Sequence, residues 1–329
     1  MTERKKTSKR APRPTPATPP RTPTVDGFPL GSTGKLHPPI GLGLWAMGRW
    51  TKDDEVRTRA ALERGLEREV PWFDTAEVYG SGRSERLLGD ALLRAPPKVP
   101  PFLTTKVSWE HLRADQVRAS LTGSLQRLAR PSVDVYLVHA PDPKVPISET
   151  MEALEHLWKE GKTAARGVSN FSVDQLDEAR AALREAPLVV NQVQYNLLTR
   201  ADGDAVIDYC REHRIVVEAY TPLARGVLAG RYLDRQLPPP EVRRFARDLF
   251  ERDRFPEVRA RGRALRELAN EANVPMASLA LHWLRTRGAA PVFGASSAEQ
   301  VDRVLAAWAI RPDDATIARA DEITRGALD

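Results

Sequence analysis

The 329-residue chain has a single cysteine, Cys210, so an intrachain disulfide is excluded and a reducing, cytoplasmic setting is expected. No apolar run approaches the roughly 18 residues that a membrane-crossing helix needs, so no membrane association is expected. The N-terminus is basic but has no apolar stretch behind it, which argues against a secretory signal. The six histidines form no ligand motif at helical or paired-cysteine spacing, so no metal is expected. No G-x-G-x-x-G run precedes a helix-like segment, which argues against a Rossmann-type nucleotide domain.

Apolar residues make up 41% of the chain and charged residues 29%, a balance that suits a globular protein able to bury a sizeable core. The formal net charge of +6 is unevenly placed: residues 1–26 hold seven Lys/Arg against two acids, and the rest 43 against 42. The body is close to neutral, and no nucleic-acid partner is expected. The opening stretch, MTERKKTSKRAPRPTPATPPRTPT, is rich in Pro, Thr and basic residues and has almost nothing to bury. It reads as a disordered tail, residues 1–26, ahead of a folded domain, residues 27–329.

Within that domain, short apolar runs alternate with longer amphipathic segments. Strand-like runs occupy 40–44, 72–75, 102–106, 133–139, 164–169, 189–195, 215–220 and 290–293. Several are continuous apolar runs, as expected for parallel strands covered on both faces. Helical patterns follow at 53–66, 84–93, 114–128, 148–160, 173–183, 204–212, 259–272 and 298–307. Eight such units predict an α/β fold, a (β/α)8 TIM barrel. A hairpin over 28–36 is expected to plug its bottom, and an extra helix over 314–325 to close the chain. The stretch 224–255, with its Pro238-Pro239-Pro240 run and many arginines, is too long for a simple turn and reads as a cofactor lid.

Barrel active sites lie at the C-terminal ends of the strands. Asp74 ends the second strand with Tyr79 five residues on, Lys106 ends the third and His139 the fourth. Core packing does not ask for such groups at buried strand ends, because each costs several kcal/mol unless paired. Together they form a coherent acid catalyst. A free phenol titrates near 10, and a lysine ammonium beside it is expected to lower that value. Asp74 would hold Lys106 in place, and His139 would hydrogen-bond a carbonyl oxygen.

The segment FDTAEVYGSGRSERLLGDAL (73–92) resembles the signature of the aldo-keto reductase superfamily. TTKV (104–107), VDVYLVHAPDP (133–143), GVSNFS (167–172), NQVQYNLL (191–198), YTPLARGVLAGRY (220–232) and FGASSAEQV (293–301) resemble its further blocks, in order. The likeness covers residues 28 to 325, everything but the tail. It implies a catalytic tetrad of Asp74, Tyr79, Lys106 and His139, and NADP(H) as cofactor, with NAD(H) as the alternative. Ser169, Asn170 and Gln194 match side chains that hydrogen-bond the nicotinamide carboxamide, and Tyr220 the aromatic that stacks on its ring. Thr221, Leu223 and Arg225 match pyrophosphate contacts, and Arg231 a basic phosphate partner. Gly294, Ser296 and Gln300 match contacts in the branch that includes the potassium-channel β subunits. That branch usually carries Glu and Asn where this chain has Arg303 and Val304. Arg303 and Arg243 are therefore candidates for a 2′-phosphate. Trp45, Met47 and Trp50 would line the substrate side. The resemblance implies reduction of a small carbonyl compound, and a monomer or weak oligomer is expected. The branch also leaves open an NADPH-binding regulatory subunit with weak reductase activity.

Overall fold

The computed structural model describes residues 27–326, apart from 32, 49–51, 186, 201–202, 235–236, 239 and 245. The expected tail and Trp50 lie outside the described residues. Two short strands, β1 (Phe28–Pro29) and β2 (Leu36–His37), pair antiparallel. Eight further strands follow: β3 (Gly41–Gly43), β4 (Trp72–Asp74), β5 (Phe102–Val107), β6 (Val133–Val138), β7 (Thr163–Ser169), β8 (Val190–Gln194), β9 (Val216–Tyr220) and β10 (Ala289–Gly294). Each pairs in parallel with the next, and β10 pairs with β3, so the sheet closes on itself. The fold is the expected (β/α)8 TIM barrel.

The helices are α1 (Lys52–Glu67), α2 (Arg83–Arg94), α3 (Ala114–Leu128), α4 (Ile147–Lys159), α5 (Val173–Ala182), α6 (Gly203–Glu212), α7 (Pro240–Arg243), α8 (Arg247–Phe250), α9 (Phe255–Glu271), α10 (Met276–Thr286), α11 (Ala298–Trp308) and α12 (Asp314–Thr324). Their starts are written locally. Ser172 accepts from the Gln175 amide while Gln175 Oε1 accepts from the Ser172 amide, a capping box that opens α5. Ser297 and Asp313 cap α11 and α12 in the simpler way.

One helix departs from the sequence expectation. The helix over 259–272 is α9, but it lies outside the ring, against α12. The element that packs on β10 and α11 is α10, for which the sequence shows no clear pattern. Its segment MASLALHWLRT buries residues from Ser278 through Leu284 without interruption, so no polar stripe marks it as a surface helix. The expected lid, 224–255, contains a 3-10 segment (Ala224–Ala229), α7 and α8 before α9 begins.

Inside the barrel the side chains stack in layers. Leu30 from the hairpin shares an apolar cluster with Val135, Leu137, Ala165, Val190 and Val216; Val190 and Val216 open their strands, so the hairpin closes the N-terminal end. Gly41 has a packing reason to be glycine. A Cβ there would come 2.2 Å from the Trp72 indole, which fills the floor and donates to Thr104 Oγ1 across 2.9 Å.

Candidate active site

Strand alternation decides which residues face the axis. On β4 and β5 it turns Trp72, Asp74, Thr104 and Lys106 inward. The Lys106 ammonium, fully buried, donates to Asp74 Oδ2 at 2.6 Å and to Thr75 O at 2.9 Å. The same nitrogen lies 5.1 Å from the centre of the Tyr79 ring. Tyr79 stands in the turn between β4 and α2, edge-on to His139 with ring centres 5.5 Å apart. All four expected catalytic groups thus meet at one mouth of the barrel.

Their charge states follow from burial and from one another. Burial alone lowers Lys106, but Asp74, Tyr79 and Glu218 outweigh it, so it is held above its usual range as an ammonium. Burial raises Asp74, with Lys106 opposing. Tyr79 departs from the sequence expectation. Burial pushes its phenol up to about 12, and the pull of Lys106, although in the expected direction, does not cancel it. Tyr79 therefore stays a protonated acid. His139 is pushed down to about 3 by burial and by the Lys106 charge, so its ring is neutral.

Beside the tetrad, Asn170 sits in the left-handed region with φ 61°, a conformation asparagine tolerates. Its amide donates to His139 O at 3.0 Å and to Ser169 Oγ at 3.1 Å, and its oxygen accepts from Tyr220 at 2.9 Å. Ser169 Oγ donates in turn to Gln192 O at 2.8 Å. Gln194 reaches across to the accessory segment and donates to Asp248 Oδ2 at 2.7 Å. After β9, Thr221, Ala224, Arg225 and Gly226 all have positive φ, a strained run of the kind found where backbone amides face an anion.

Arg225 stacks over Trp45 with 5.0 Å to the ring centre, and exposed Arg231 lies over Tyr232 at 5.1 Å. Leu223 is partly buried against the core. Ser296 donates to Gln300 Oε1 at the start of α11, Gly294 is exposed with open space at its Cβ position, and Arg303 is exposed on α11. Met47, 2% exposed, packs in the main core.

Two buried polar atoms here, His139 Nδ1 and Thr221 Oγ1, have no protein partner, and neither has Arg243 Nε on α7. Buried polar atoms normally find partners. Unpaired donors beside a left-handed, arginine-bearing loop suit a ligand that is polar and anionic at one end. A dinucleotide with a pyrophosphate fits that description.

Sequence reasoning overlooked Trp109, Gln192 and Glu218. Trp109 is 44% exposed and stands edge-on to His139, ring centres 5.7 Å apart. The signal for it is its position three residues past Lys106, in the loop leaving a strand end. Gln192 and Glu218 are paired across β8 and β9 and are buried. A glutamate inside the apolar run VVEAY was their visible sign. Among the described residues no cluster of His, Cys, Asp and Glu suits a metal, and no helix is long and apolar enough to cross a membrane.

Comparisons with known proteins identify the family and the fold. The model of the Aldo/keto reductase family matches residues 39–325. The chain is 31% identical over 300 residues to aldo-keto reductase YhdN of Bacillus subtilis, covering 87% of this chain and 90% of that one. Among solved structures, the glycerol dehydrogenase of Gluconobacter oxydans superposes with a TM-score of 0.81 at 28% identity, over 92% of this chain and 96% of that one. An aldo-keto reductase from Klebsiella pneumoniae, solved in complex with NADPH, gives a TM-score of 0.71 at 28% identity, over 92% and 96% of the two chains.

Proposed function

Because the chain belongs to the aldo/keto reductase family, we propose that it reduces the carbonyl of an aldehyde or ketone to the alcohol with NADPH, Tyr79 acting as the proton donor. The observation that carries this reading is the buried Lys106 ammonium, paired with Asp74 and lying against the Tyr79 ring. When bound, NADPH supplies the hydride that adds to the carbonyl carbon. The Tyr79 hydroxyl gives its proton to the carbonyl oxygen as negative charge develops there, and Lys106 stabilises the phenolate left behind. Neutral His139 orients the carbonyl oxygen, and Trp45 and Trp109 form the apolar side of the pocket, while Met47 is buried in the core and does not line it.

In the same reading, Ser169, Asn170 and Gln194 hold the carboxamide and Tyr220 lies under the nicotinamide. Thr221, Leu223, Arg225 and Arg231 take the pyrophosphate, with Gly294, Ser296 and Gln300 along the adenosine side. Arg243 and Arg303 are the candidates for the 2′-phosphate, which is why NADPH is preferred to NADH. The unpaired Thr221 Oγ1 and Arg243 Nε support these placements.

The test is NADPH consumption against a panel of aldehydes and ketones, repeated with NADH and with Tyr79→Phe. Turnover should vanish in the variant while NADPH still quenches the protein fluorescence. Full turnover in Tyr79→Phe refutes the role. Tight NADPH binding without turnover in the unmodified protein would favour a cofactor-sensing subunit.

A further inference from the structure

Beneath the catalytic layer the barrel axis holds a second buried ionisable pair. His37 comes from the plugging hairpin and Glu218 from the middle of β9, and neither side chain reaches solvent. His37 Nε2 lies 2.9 Å from Glu218 Oε1, and His37 Nδ1 lies 2.8 Å from Pro38 O. A carbonyl oxygen only accepts, so Nδ1 carries a hydrogen. One further proton then lies between Nε2 and the carboxyl group. Whichever atom holds it, the pair is neutral overall, with its carboxyl end toward the catalytic layer. The imidazole is packed edge-on against Trp72 and Phe102, ring centres 4.5 and 4.9 Å away, so water does not stand in for either partner.

The pair is wired to the active site through a single amide. Gln192 Nε2 donates to Glu218 Oε2 at 2.6 Å and to Asp74 Oδ2 at 2.9 Å. That Asp74 oxygen is the one that receives the Lys106 ammonium. An unbroken chain therefore runs from the barrel floor through His37, Glu218, Gln192, Asp74 and Lys106 to Tyr79. A buried pair of this kind gives no assured gain in stability over apolar packing, so its presence asks for another reason.

We propose that Glu218, clamped by His37 and bridged to Asp74 by Gln192, is a positioning residue that orients Asp74 under Lys106 and holds the Tyr79 phenol in its protonated form. The proposal rests on the reductase reading above. The ionisable groups around Glu218 are His37 from the hairpin, Asp74 from β4 and Lys106 from β5, with Tyr79 and His139 beyond Lys106. The pair presents its carboxyl end, and not its imidazole, to Asp74 and Lys106, and this orientation makes it harder for Tyr79 to lose its proton. Replacing the carboxyl group makes it easier.

The experiment uses the oxidative direction, in which Tyr79 must accept a proton and the rate rises with pH as its phenol ionises. Glu218→Gln keeps both hydrogen bonds of the chain and removes the carboxyl end of the pair. The mid-point of the rise in kcat for alcohol oxidation by NADP+ should move down by about half to one pH unit, and reductive kcat should fall about three- to tenfold. NADPH affinity, read by fluorescence quenching, should not change. An unmoved mid-point in a folded variant overturns the proposal. If Glu218→Gln does not fold, the double variant His37→Phe with Glu218→Met replaces the pair by apolar volume and must show the same displacement. Lack of any NADP-linked turnover in the unmodified protein would sink the reductase reading itself. Normal turnover with an unmoved mid-point sinks only the role given to Glu218.

Discussion

Lys106 donates to Asp74 Oδ2 across 2.6 Å, and neither side chain has appreciable contact with water. Each is the reason the other is tolerated there, because a buried charge without its partner is costly. Lys106→Met leaves Asp74 with only the Gln192 amide, and should lower stability by about 3 kcal/mol. It should also lower reductive kcat by about a hundredfold or more. Combining it with Asp74→Asn removes the orphaned carboxylate. The double variant should recover most of the stability and none of the rate, a non-additivity expected of contacting residues. Urea unfolding and turnover on the same preparations decide it, and additive losses of stability would refute the coupling.

The neutral state of His139 has two consequences for pH. Burial and the Lys106 charge push this ring down to about 3. Reductive kcat/KM should therefore run level from about pH 5 to 8, without the inflection near 6.5 that an ordinary histidine would give. A fall below 6.5 that disappears in His139→Asn would contradict this. Stability behaves differently. In the unfolded chain the ring takes up a proton near 6.5, while the folded protein refuses it. Stability is then fully present above pH 6.5 and is lost as pH falls towards 3. Buried His282, also held low by burial, acts in the same direction. Unfolding free energy measured at pH 7 and pH 5.5 should show the decline, with a shallower slope in His139→Asn.

The barrel and the meeting of Asp74, Tyr79, Lys106 and His139 at its mouth were readable from the sequence for a simple reason. Parallel strands covered on both faces are written as apolar runs such as VDVYLV, and an ionisable residue ending such a run stands out. Other features depend on contacts distant in the chain. His37 and Glu218 lie 181 residues apart, and nothing in either neighbourhood announces the other. The rise of the Tyr79 phenol came from the depth of its surroundings, which no spacing encodes. The helix α10 was hidden by its own burial, since a segment apolar on every side has no period to read.

Trp109 forms an exposed wall against the neutral imidazole, so it should act on the substrate more than on the cofactor. An edge-on aromatic pair is worth about 0.5–1.5 kcal/mol beyond its buried area. Trp109→Ala should raise KM for aromatic and long-chain aldehydes several-fold, with a smaller effect on the shortest aldehydes. NADPH affinity should stay the same. Equal effects on short and bulky substrates would argue that the indole only supports the loop.

The last prediction concerns the accessory segment. Asp248 at the start of α8 accepts from Gln194 Nε2 across 2.7 Å, and it adds to the burial that raises the Tyr220 phenol, against the opposing pull of Arg225. Two effects of this carboxylate oppose NADPH. It occupies the amide assigned to the nicotinamide carboxamide, and it sets a like charge near a bound pyrophosphate. A single charge-assisted hydrogen bond to be broken is worth about 1.5–3 kcal/mol in a buried setting, and less at this half-exposed one. Asp248→Ala should therefore tighten NADPH binding by about threefold to tenfold, and the gain should shrink as salt screens the charge. Fluorescence titrations at low and high ionic strength measure both quantities. Weaker binding in the variant would mean that the carboxylate holds the segment closed over the cofactor, and that the Gln194 contact helps the bound state instead of competing with it.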